Sequence, residues 1–534
     1  MRLFYTVRYL RSRQIIDRIW RRLHSPHISL SPAPTVRFAK GQWTPSIERN
    51  PFQLGPHQFR FLNQEGRIVG PTGWNDPGYS KLWLYHLHYF DELNSRDAAE
   101  RETWHQALIS QWIAENPVGR GNGWEPYTLS LRIVNWVKWA LRQQSMEIQW
   151  LESLALQVRY LRKSLEYHLL GNHLLANAKA LVFAGLYFAG DEADRWLDKG
   201  MDVLRRELAE QVLDDGGHFE RSPMYHAILY EDVLDLLNLC RVYPGIVAPE
   251  AVALWKNLAP RMDQWLQVMT HADEEIGFFN DAAMGMAPRP AELCAYMRRL
   301  GLRATPPAEH HLVSSGYVRL QNDTAIALLD VAPIGPDYQP GHAHADTLSF
   351  ELSLFGQRVL VNSGISNYHH GPERLRQRGT AAHNTVEING ENSSEVWHAF
   401  RVARRARPFG VDVGESRATA SHNGYTRLVG RPVHCRTWKL SEYTFEIRDV
   451  IHGPFEKAVA YFHVHPEVRV TVDDDAGTGQ LIMPDDRVVR FETGGGELSR
   501  HASTWHSEFG LSAANQVMQL RFTGAEAAFK LSWA

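Results

Sequence analysis

Residues 341–354 read GHAHADTLSFELSL and mark the point where the chain changes from helical to β-rich sequence. Leu348, Phe350, Leu352 and Leu354 alternate here with polar residues, which is the period-two pattern of a strand with one buried face. Short β-rich segments separated by turn residues continue from this point to the C-terminus. They predict a C-terminal half built of stacked antiparallel sheets.

The sequence upstream, from about residue 80 to 300, is typical of helices. Apolar residues recur at spacings of three and four, without βαβ alternation or a Gly-rich phosphate loop. The segments with this spacing are 106–113, 129–141, 151–170, 174–188, 196–212, 230–242 and 251–269. Helices followed by strands predict two domains that meet near residues 304–309, with the default ligand site in the cleft between them.

Composition excludes several classes of protein. The 534 residues are 44% hydrophobic and 22% charged, as in ordinary globular chains rather than disordered or fibrous ones. Lys and Arg number 57 against 60 Asp and Glu, and this net charge of −3 gives no support for a nucleic-acid partner. Three scattered cysteines are too few for a disulfide framework or a cysteine zinc site.

The N-terminal sequence MRLFYTVRYLRSRQIIDRIWRRLH is basic and amphipathic. Arginine interrupts it every few residues, so it lacks the apolar core of a secretory signal, and no run of about 18 apolar residues occurs in the chain. We therefore expect a cytoplasmic protein with no transmembrane segment, although the sequence leaves a periplasmic location open. A helix over residues 1–24 would either make a peripheral membrane contact or cap the fold with its arginines in solvent.

Asn172 and His173 follow Gly171 at the predicted start of a helix. The unpaired N–H groups and the dipole of a helix N-terminus favour an anionic group, and a carboxamide and an imidazole add to that preference. The alternative is a simple Asn cap beside a buried histidine.

The segment GGHFERSPMYH at 216–226 crowds polar residues into a loop between two predicted helices. Tyr225 is a candidate general acid or base if a nearby cation lowers its pKa. Glu220 and Arg221 are candidates for substrate contacts or for a supporting ion pair. A capping loop with a surface ion pair is the alternative.

Trp124 and Tyr127 open the stretch WEPYTLSLRIVNW at 124–136, where polar residues are dense among aromatic ones. Such residues either line a sugar-binding groove or pack helices together.

His342 and His344 form a His-x-His pair just before the Leu348 strand, and His383 starts another strand. On an extended chain both rings of the pair would face one side, as metal ligands do, whereas in a loop they could take different tasks. His344, Asn362 and His383 together could hold a divalent metal.

A basic aromatic loop at 368–378 follows, with the sequence YHHGPERLRQR. Tyr368, Arg374 and Arg378 are its candidates for binding a polyanion. The alternative is a solvated basic loop.

Taken together, these segments resemble the heparinase II/III-like polysaccharide lyases, which include heparin-sulfate lyases and alginate-cleaving relatives. The similarity lies in LWLYHLHYF at 82–90, WEPYTLSLRIVNW at 124–136, GNHLLANAKAL at 171–181, GGHFERSPMYH at 216–226, HAHADTLSFEL at 342–352 and TAAHNTV at 380–386. The resemblance implies an α+β multidomain chain in which an incomplete (α/α) toroid precedes an antiparallel β-sandwich. We assign the N-terminal helix and connector to residues 1–60, the toroid to 61–305 and the sandwich to 306–534.

The resemblance also implies roles for individual residues. Asn172 matches the catalytic asparagine of the family, and His173 matches a histidine of its alginate-cleaving members. Tyr225 and His342 match the catalytic tyrosine and histidine. His344 matches a ligand of a structural metal in some members, and His383 matches the histidine of the family's HNTV segment, which would complete that site. The divalent metal expected in this chain is zinc or calcium. Asn362 stands where the family often has aspartate, and an amide is the poorer ligand for a divalent cation.

The function implied is β-elimination in a uronate-containing acidic polysaccharide, with no cofactor required. Asn172 and His173 would neutralise the uronate carboxylate, and Tyr225 and His342 would serve as base and acid. Two alternatives remain at this point. A glycoside hydrolase would need two carboxylates about the bond, for which Glu220, Asp281 and Asp346 are available. A non-catalytic polysaccharide-binding protein of a bacterial exopolysaccharide or lipopolysaccharide pathway would need neither.

Overall fold

The computed structural model of the protein describes residues 1–24, 26, 28–143, 146–473 and 477–534. The helices among these residues lie almost entirely before residue 300. They are α1 (Arg2–Val7), α2 (Ser12–Leu23), α3 (Lys81–Tyr89), α4 (Glu102–Glu115), α5 (Pro126–Gln143), α6 (Ile148–Lys163), α7 (Gly171–Tyr187), α8 (Asp191–Gln211), α9 (Pro223–Val242), α10 (Pro249–Val268), α11 (Pro290–Arg299) and α12 (Pro372–Arg378).

Most of the strands follow residue 310. A small antiparallel sheet comes earlier and consists of β1 (Gln53–Gly55), β2 (Gln58–Phe61) and β3 (Gln64–Arg67). The later strands are β4 (His311–Leu312), β5 (Tyr317–Gln321), β6 (Ala325–Asp330), β7 (Phe350–Leu354), β8 (Gln357–Leu360), β9 (Val386–Ile388), β10 (Val396–Trp397), β11 (Arg401–Val402), β12 (Pro408–Val413), β13 (Arg417–His422), β14 (Val433–Leu440), β15 (Thr444–His452), β16 (Ala458–Val464), β17 (Arg469–Val472), β18 (Thr478–Ile482), β19 (Val488–Gly494), β20 (Glu497–Trp505), β21 (Ala513–Phe522) and β22 (Glu526–Ser532).

Helix α7 lies at the centre of the helical half, packed against α5, α8 and α9. All of its residues except Asn172 and His173 are buried, because Ala, Leu, Val and Phe occur on every side of it. Gly185 lets α8 approach, since a Cβ there would lie 2.6 Å from the backbone nitrogen of Leu197. The central helix therefore directs its only two accessible residues out of one end.

Two large antiparallel sheets form most of the C-terminal half in the described residues, where β10 and β11 also pair as a small sheet of their own. One has the strand order β12-β13-β14-β15-β22-β19-β18-β17, and the other runs β20-β21-β16-β8-β7-β6-β5-β4 with β9 paired to β16. Their facing sides share one apolar core, in which Leu352 and Phe462 of one sheet join Trp438 and Phe529 of the other. The predicted order of a helical half followed by antiparallel sheets is confirmed.

The strand at Leu348 differs from the prediction in one respect. Its alternating pattern predicted one face in solvent, yet all five residues of β7 are buried. The helical half covers the polar face, where His271 donates to the Glu351 carboxylate at 3.0 Å and the backbone N–H of Phe278 donates to it at 2.8 Å. Polar residues on this strand therefore join the two halves.

The N-terminal 24 residues form two helices rather than the single helix expected, with a break at residues 8–11. The predicted helix at 151–170 also ends early, at Lys163, and a short connector leads from there to α7. Ser25 and His27 in the predicted connector lie outside the described residues. None of the helices in the described part of the chain is long and apolar enough to cross a membrane.

Candidate active site

The first turns of α7 and α9 and the loop at 341–346 meet where the two halves join. Gly171 begins α7 at φ +57, and a Cβ there would collide with the side chain of Gln339. The N-cap of α9 is Ser222, whose Oγ accepts from the Tyr225 N–H at 3.2 Å and donates to the Asp281 carbonyl. Helix starts and a β-domain loop therefore hold the polar groups of one site.

Tyr225, His342 and Tyr368 form an aromatic cluster at its centre. The Tyr225 and His342 rings lie 4.0 Å apart between centroids, and the Tyr225 and Tyr368 hydroxyls are 3.0 Å apart. Burial raises the pKa of Tyr225 well above its usual value, and Tyr368 and Asp281 raise it further. The condition set for Tyr225, a cation that lowers its pKa, is not met, and the resting phenol keeps its proton.

Asp281 fixes the orientation of His342. Its carboxylate accepts from His342 Nδ1 at 2.8 Å, from His344 Nε2 at 2.8 Å and from the Arg374 guanidinium at 2.7 Å. Burial would raise the pKa of Asp281, but Arg374 and the two imidazoles outweigh it and hold that pKa well below its usual range. The ionised carboxylate accepts the Nδ1–H of His342, so in the neutral form of this imidazole the lone pair lies on Nε2.

Asn172 and His173 occupy the exposed end of α7. His173 Nδ1 lies 3.1 Å from Glu166 in the connector, and its ring lies 4.4 Å from the ring of Tyr127. Burial would lower the pKa of His173, but the Glu166 carboxylate outweighs it and raises that pKa. The Asn172 side-chain oxygen is buried without a hydrogen-bond partner. A favoured imidazolium and an uncommitted carboxamide thus stand side by side.

Glu220 faces the same space from the loop before α9. Both of its carboxylate oxygens are buried without a hydrogen-bond partner, and one lies 3.8 Å from His342 Nε2. Burial raises the pKa of Glu220, although the nearby His342 opposes the shift. A buried, uncommitted carboxyl group of this kind is available to a ligand.

A cavity of about 100 Å³ extends from Asn172, Tyr127 and Tyr225 into the helical half. Its deeper wall carries charges that are already paired. Lys179 contacts Asp232 and Asp235 at 2.6 Å, Lys138 contacts Asp235 at 2.5 Å, and Arg49 contacts Glu231 at 2.8 Å. The cavity therefore offers polar groups but little free positive charge.

The candidate arginines do not point into this space. The Arg374 side chain is fully buried against Asp281. Arg378 donates to the Ala343 carbonyl at 2.8 Å and so holds the segment between the two histidines. Arg221 donates to the Ser315 carbonyl at 2.9 Å. Each guanidinium is committed to the protein's own groups, which leaves it unable to serve a substrate as the basic-residue pattern predicted.

Trp124 does not line the cavity either. It is 3% exposed, its indole N–H donates to the Asn116 carbonyl at 3.1 Å, and its ring packs on Trp112 and Tyr160. This is the helix-packing alternative. Tyr127, three residues later, is the member of the pair that lines the cavity.

Two of the three candidate metal ligands lie close together, but the third potential ligand differs from the one predicted. The ligand atoms of His344, Asp346 and His383 lie within 4.8 Å of one another. Asn362 uses both ends of its amide on the backbone, accepting from the Asn384 N–H at 3.0 Å and donating to the Phe278 carbonyl at 2.9 Å. Asp346, rather than Asn362, therefore completes the group of potential ligands.

The imidazoles of His344 and His383 face each other through one ring nitrogen each. His344 Nδ1 and His383 Nε2 are 3.0 Å apart. The other nitrogen of each ring donates, to Asp281 in one case and to the Gly379 carbonyl at 2.8 Å in the other. Burial lowers the pKa of both histidines to about 4, so at neutral pH two lone pairs oppose each other. A cation between them would remove that repulsion, and the residues fit one.

Sequence reasoning missed three contributors to this site. Glu166 lies in a segment predicted as helix, and Asp281 was considered only as a hydrolase carboxylate. Phe400, at the turn between β10 and β11, is 41% exposed, and its ring lies 5.3 Å from Tyr368 and 6.1 Å from His342. No motif marks these residues; a carboxylate beside a histidine in space leaves no trace in chain spacing.

Fold and site together define a two-part protein, helical first and β-sheet second, with a polar cleft at the junction. Residues 75–292 match the family model described as Heparinase II/III N-terminus, and residues 304–534 match the one described as Heparinase II/III-like, C-terminal. The chain belongs to the heparinase II/III-like family, and the resemblance is confirmed.

The sequence identity between this chain and individual relatives is low. The chain is 26% identical over 395 residues to a heparin-sulfate lyase of Pedobacter heparinus, covering 65% of this chain and 53% of the relative. It is 24% identical over 497 residues to the FtsZ-localized protein C of Caulobacter vibrioides, covering 85% of this chain and 82% of that protein. The chain spans about half or less of the length of the first curated lyases it matches.

Solved structures agree on the architecture. A crystal structure of heparinase III matches with a TM-score of 0.68 at 18% identity, covering 89% of this chain and 79% of that one. At this identity the likeness concerns the fold alone.

Proposed function

We propose that the protein is a polysaccharide lyase that cleaves a uronate-containing acidic polysaccharide by β-elimination. One observation carries the proposal. The amide at the end of α7 lines the same cavity as the Tyr225 phenol. The ring of His342, which Asp281 holds, contacts that phenol ring from the other half at 4.0 Å between centroids. Family membership supports the same class of reaction.

Elimination requires that the uronate carboxylate be neutralised, because the C5 proton beside an anion is only weakly acidic. The Asn172 carboxamide can donate to that carboxylate, and His173 adds positive charge where the dianionic intermediate forms. The Glu166 carboxylate raises the pKa of His173 and so favours its charged form. The free carboxamide thus acts on the substrate, while Glu166 acts through the imidazole.

Proton transfer then divides between the two aromatic groups. His342 Nε2 is the base that takes the C5 proton, since Nδ1 is occupied by Asp281. The C4–O4 bond breaks as the C4–C5 double bond forms, and Tyr225 gives its proton to the leaving O4. The raised pKa of Tyr225 supports the acid assignment, because a phenol that holds its proton is ready to donate it.

Substrate contacts beyond these groups are aromatic and neutral rather than basic. Tyr127, Tyr368 and Phe400 offer ring faces, and sugar rings stack on such faces. Glu220, whose carboxylate oxygens have no hydrogen-bond partner in the protein, can form a hydrogen bond with a sugar hydroxyl. Because the nearby guanidinium groups are committed, we favour a polymer whose charge comes from carboxylates rather than dense sulfation.

The two alternatives are less well supported. A hydrolase needs two available carboxylates, but Asp281 is 0% exposed and held by Arg374, and Asp346 is buried. A non-catalytic role is consistent with the relative named FtsZ-localized protein C. Against that reading, Glu220 and Asn172 retain uncommitted polar atoms in the cleft.

The structural cation would be held by His344, Asp346 and His383, as part of the same proposal. It would supply no chemistry to the reaction and would stiffen the loop that carries His342. Elemental analysis of the purified protein should find about one equivalent of zinc or calcium, and H383A should lower both the metal content and the melting temperature. Metal-free protein whose melting temperature is unchanged by added zinc or calcium would contradict it.

The defining experiment is a panel of acidic polysaccharides, including heparan sulfate, alginate, hyaluronan and bacterial exopolysaccharides. We expect one of them to yield products that absorb as 4,5-unsaturated uronates and are lighter than hydrolysis products by one water. Shorter products without that absorbance would indicate hydrolysis. Binding without any turnover would favour the non-catalytic role.

A further inference from the structure

The N-terminal segment, residues 1–24, docks on the protein through its polar side. The Gln14 amide is 2% exposed and lies 3.3 Å from the Tyr338 carbonyl and 3.4 Å from the Leu169 carbonyl. Arg11 pairs with Glu210, and the Arg13 guanidinium lies 3.5 Å from the centre of the Tyr167 ring. Helix α2 therefore presents its polar face to the interior.

Its apolar face points the other way. Ile16, Ile19, Trp20 and Leu23 follow the three-and-four spacing of a single helix face, roughly opposite Gln14. Their exposed fractions are 64%, 54%, 57% and 73%. Helix α1 behaves in the same way, with Leu3 and Phe4 60% and 65% exposed while Thr6 bonds to Trp397. An ordinary surface helix would bury these side chains.

Positive charge surrounds this apolar surface. Residues 1–24 contain seven arginines and a single acidic residue, Asp17. Arg18 and Arg22, on the turns that carry Ile19 and Leu23, form no ion pair with a carboxylate anywhere in the described residues. Charge of one sign beside exposed aliphatic and indole groups is the pattern of helices that lie in a lipid headgroup region.

We propose that α1 and α2 bind the protein to an anionic membrane surface, with the apolar face inserted at the headgroup level and the arginines at the phosphates. A second copy of the chain is a poorer occupant, because it would bring an equally basic rim against this one. The sequence offered membrane contact and capping as alternatives. In the structure the segment can do both, because its polar face caps the fold while its apolar face is available to a membrane. This inference is independent of the reaction proposed above.

The test is sedimentation of the full chain with vesicles of phosphatidylcholine alone or with phosphatidylglycerol added. We expect binding to the anionic vesicles only, weakened by salt because the arginine contribution is screened. I16E/I19E should reduce that binding at least about tenfold, since each substitution removes an inserted aliphatic group and adds a repelled charge. R18Q/R22Q should weaken it and flatten the salt dependence.

The matched control is L254E on α10, which makes the same kind of change at a 52% exposed leucine outside this surface. It should leave vesicle binding unchanged, and all variants should keep the wild-type melting temperature because the altered side chains lie outside the core. Equal binding to neutral and anionic vesicles, or unchanged binding by I16E/I19E, would overturn the proposal. So would a wild-type dimer that I16E/I19E converts to a monomer without any vesicle binding.

Discussion

Y225F is expected to lower kcat by about 10²–10⁴-fold, the usual contribution of a positioned proton donor, while KM changes little. The substitution removes only the hydroxyl, and the ring that stacks on His342 at 4.0 Å stays. Loss of unsaturated product at saturating substrate, with unchanged binding, is the measurement that checks it.

The matched control for this substitution is Y230F on the same helix. Its hydroxyl bonds Asp263 at 3.3 Å, outside the cleft. Removing it should cost stability by about 0.5–1.5 kcal/mol and leave kcat intact. Wild-type turnover by Y225F would eliminate Tyr225 as the proton donor, and equal losses in both variants would point to a folding effect.

N172A is expected to reduce kcat by about 10²–10³-fold, equivalent to about 2.7–4 kcal/mol in the barrier. The carboxamide oxygen has no partner within the protein, so its removal leaves the fold's own hydrogen bonds in place. N172D should be worse, since a second carboxylate would repel the uronate. N515A, which removes a buried amide of the β-sandwich, serves as the control and should leave kcat unchanged.

The pH dependence of activity distinguishes the contribution of Asn172 from that of His173. If a charged His173 assists the reaction, activity is present below its raised pKa and is lost as the pH rises through it. E166Q removes the carboxylate that raises this pKa, so the loss should begin at lower pH. N172A should reduce the rate without changing the pH at which activity is lost. If E166Q loses activity at the same pH as the wild type, His173 is not the group whose titration causes the loss.

The fold was predictable because its signals are local. The apolar spacing of the α7 sequence and the alternation at Phe350–Leu354 each depend on residues that are neighbours in the chain. The spacing of residues does not show what covers an element. Strand β7 is therefore buried on both faces, by the second sheet on its apolar face and by the helical half on its polar face. The early end of α6 was missed for the same reason, because its connector is held by contacts with α2 and α7.

The site was predictable only in part. Motif resemblance brought Asn172, Tyr225 and His342 to attention, and the structure brings these residues to one cleft. The arginines illustrate the limit. The sequence shows that a guanidinium is charged but not which group it binds. Arg374 donates to the Asp281 carboxylate and Arg378 to the Ala343 carbonyl. Phe400 carries no motif at all, since its position follows from a hairpin turn.

The position of the Asp281 carboxylate affects how the protein would lose activity as it unfolds. It comes from the helical half, and its three partners, His342, His344 and Arg374, all come from the other half. This contact, which helps to join the two halves, also orients the imidazole of His342. Any shift at this junction would move the imidazole before either half unfolds. Heat or mild denaturant should therefore abolish the proposed lyase activity while the circular dichroism spectrum is still that of the native fold.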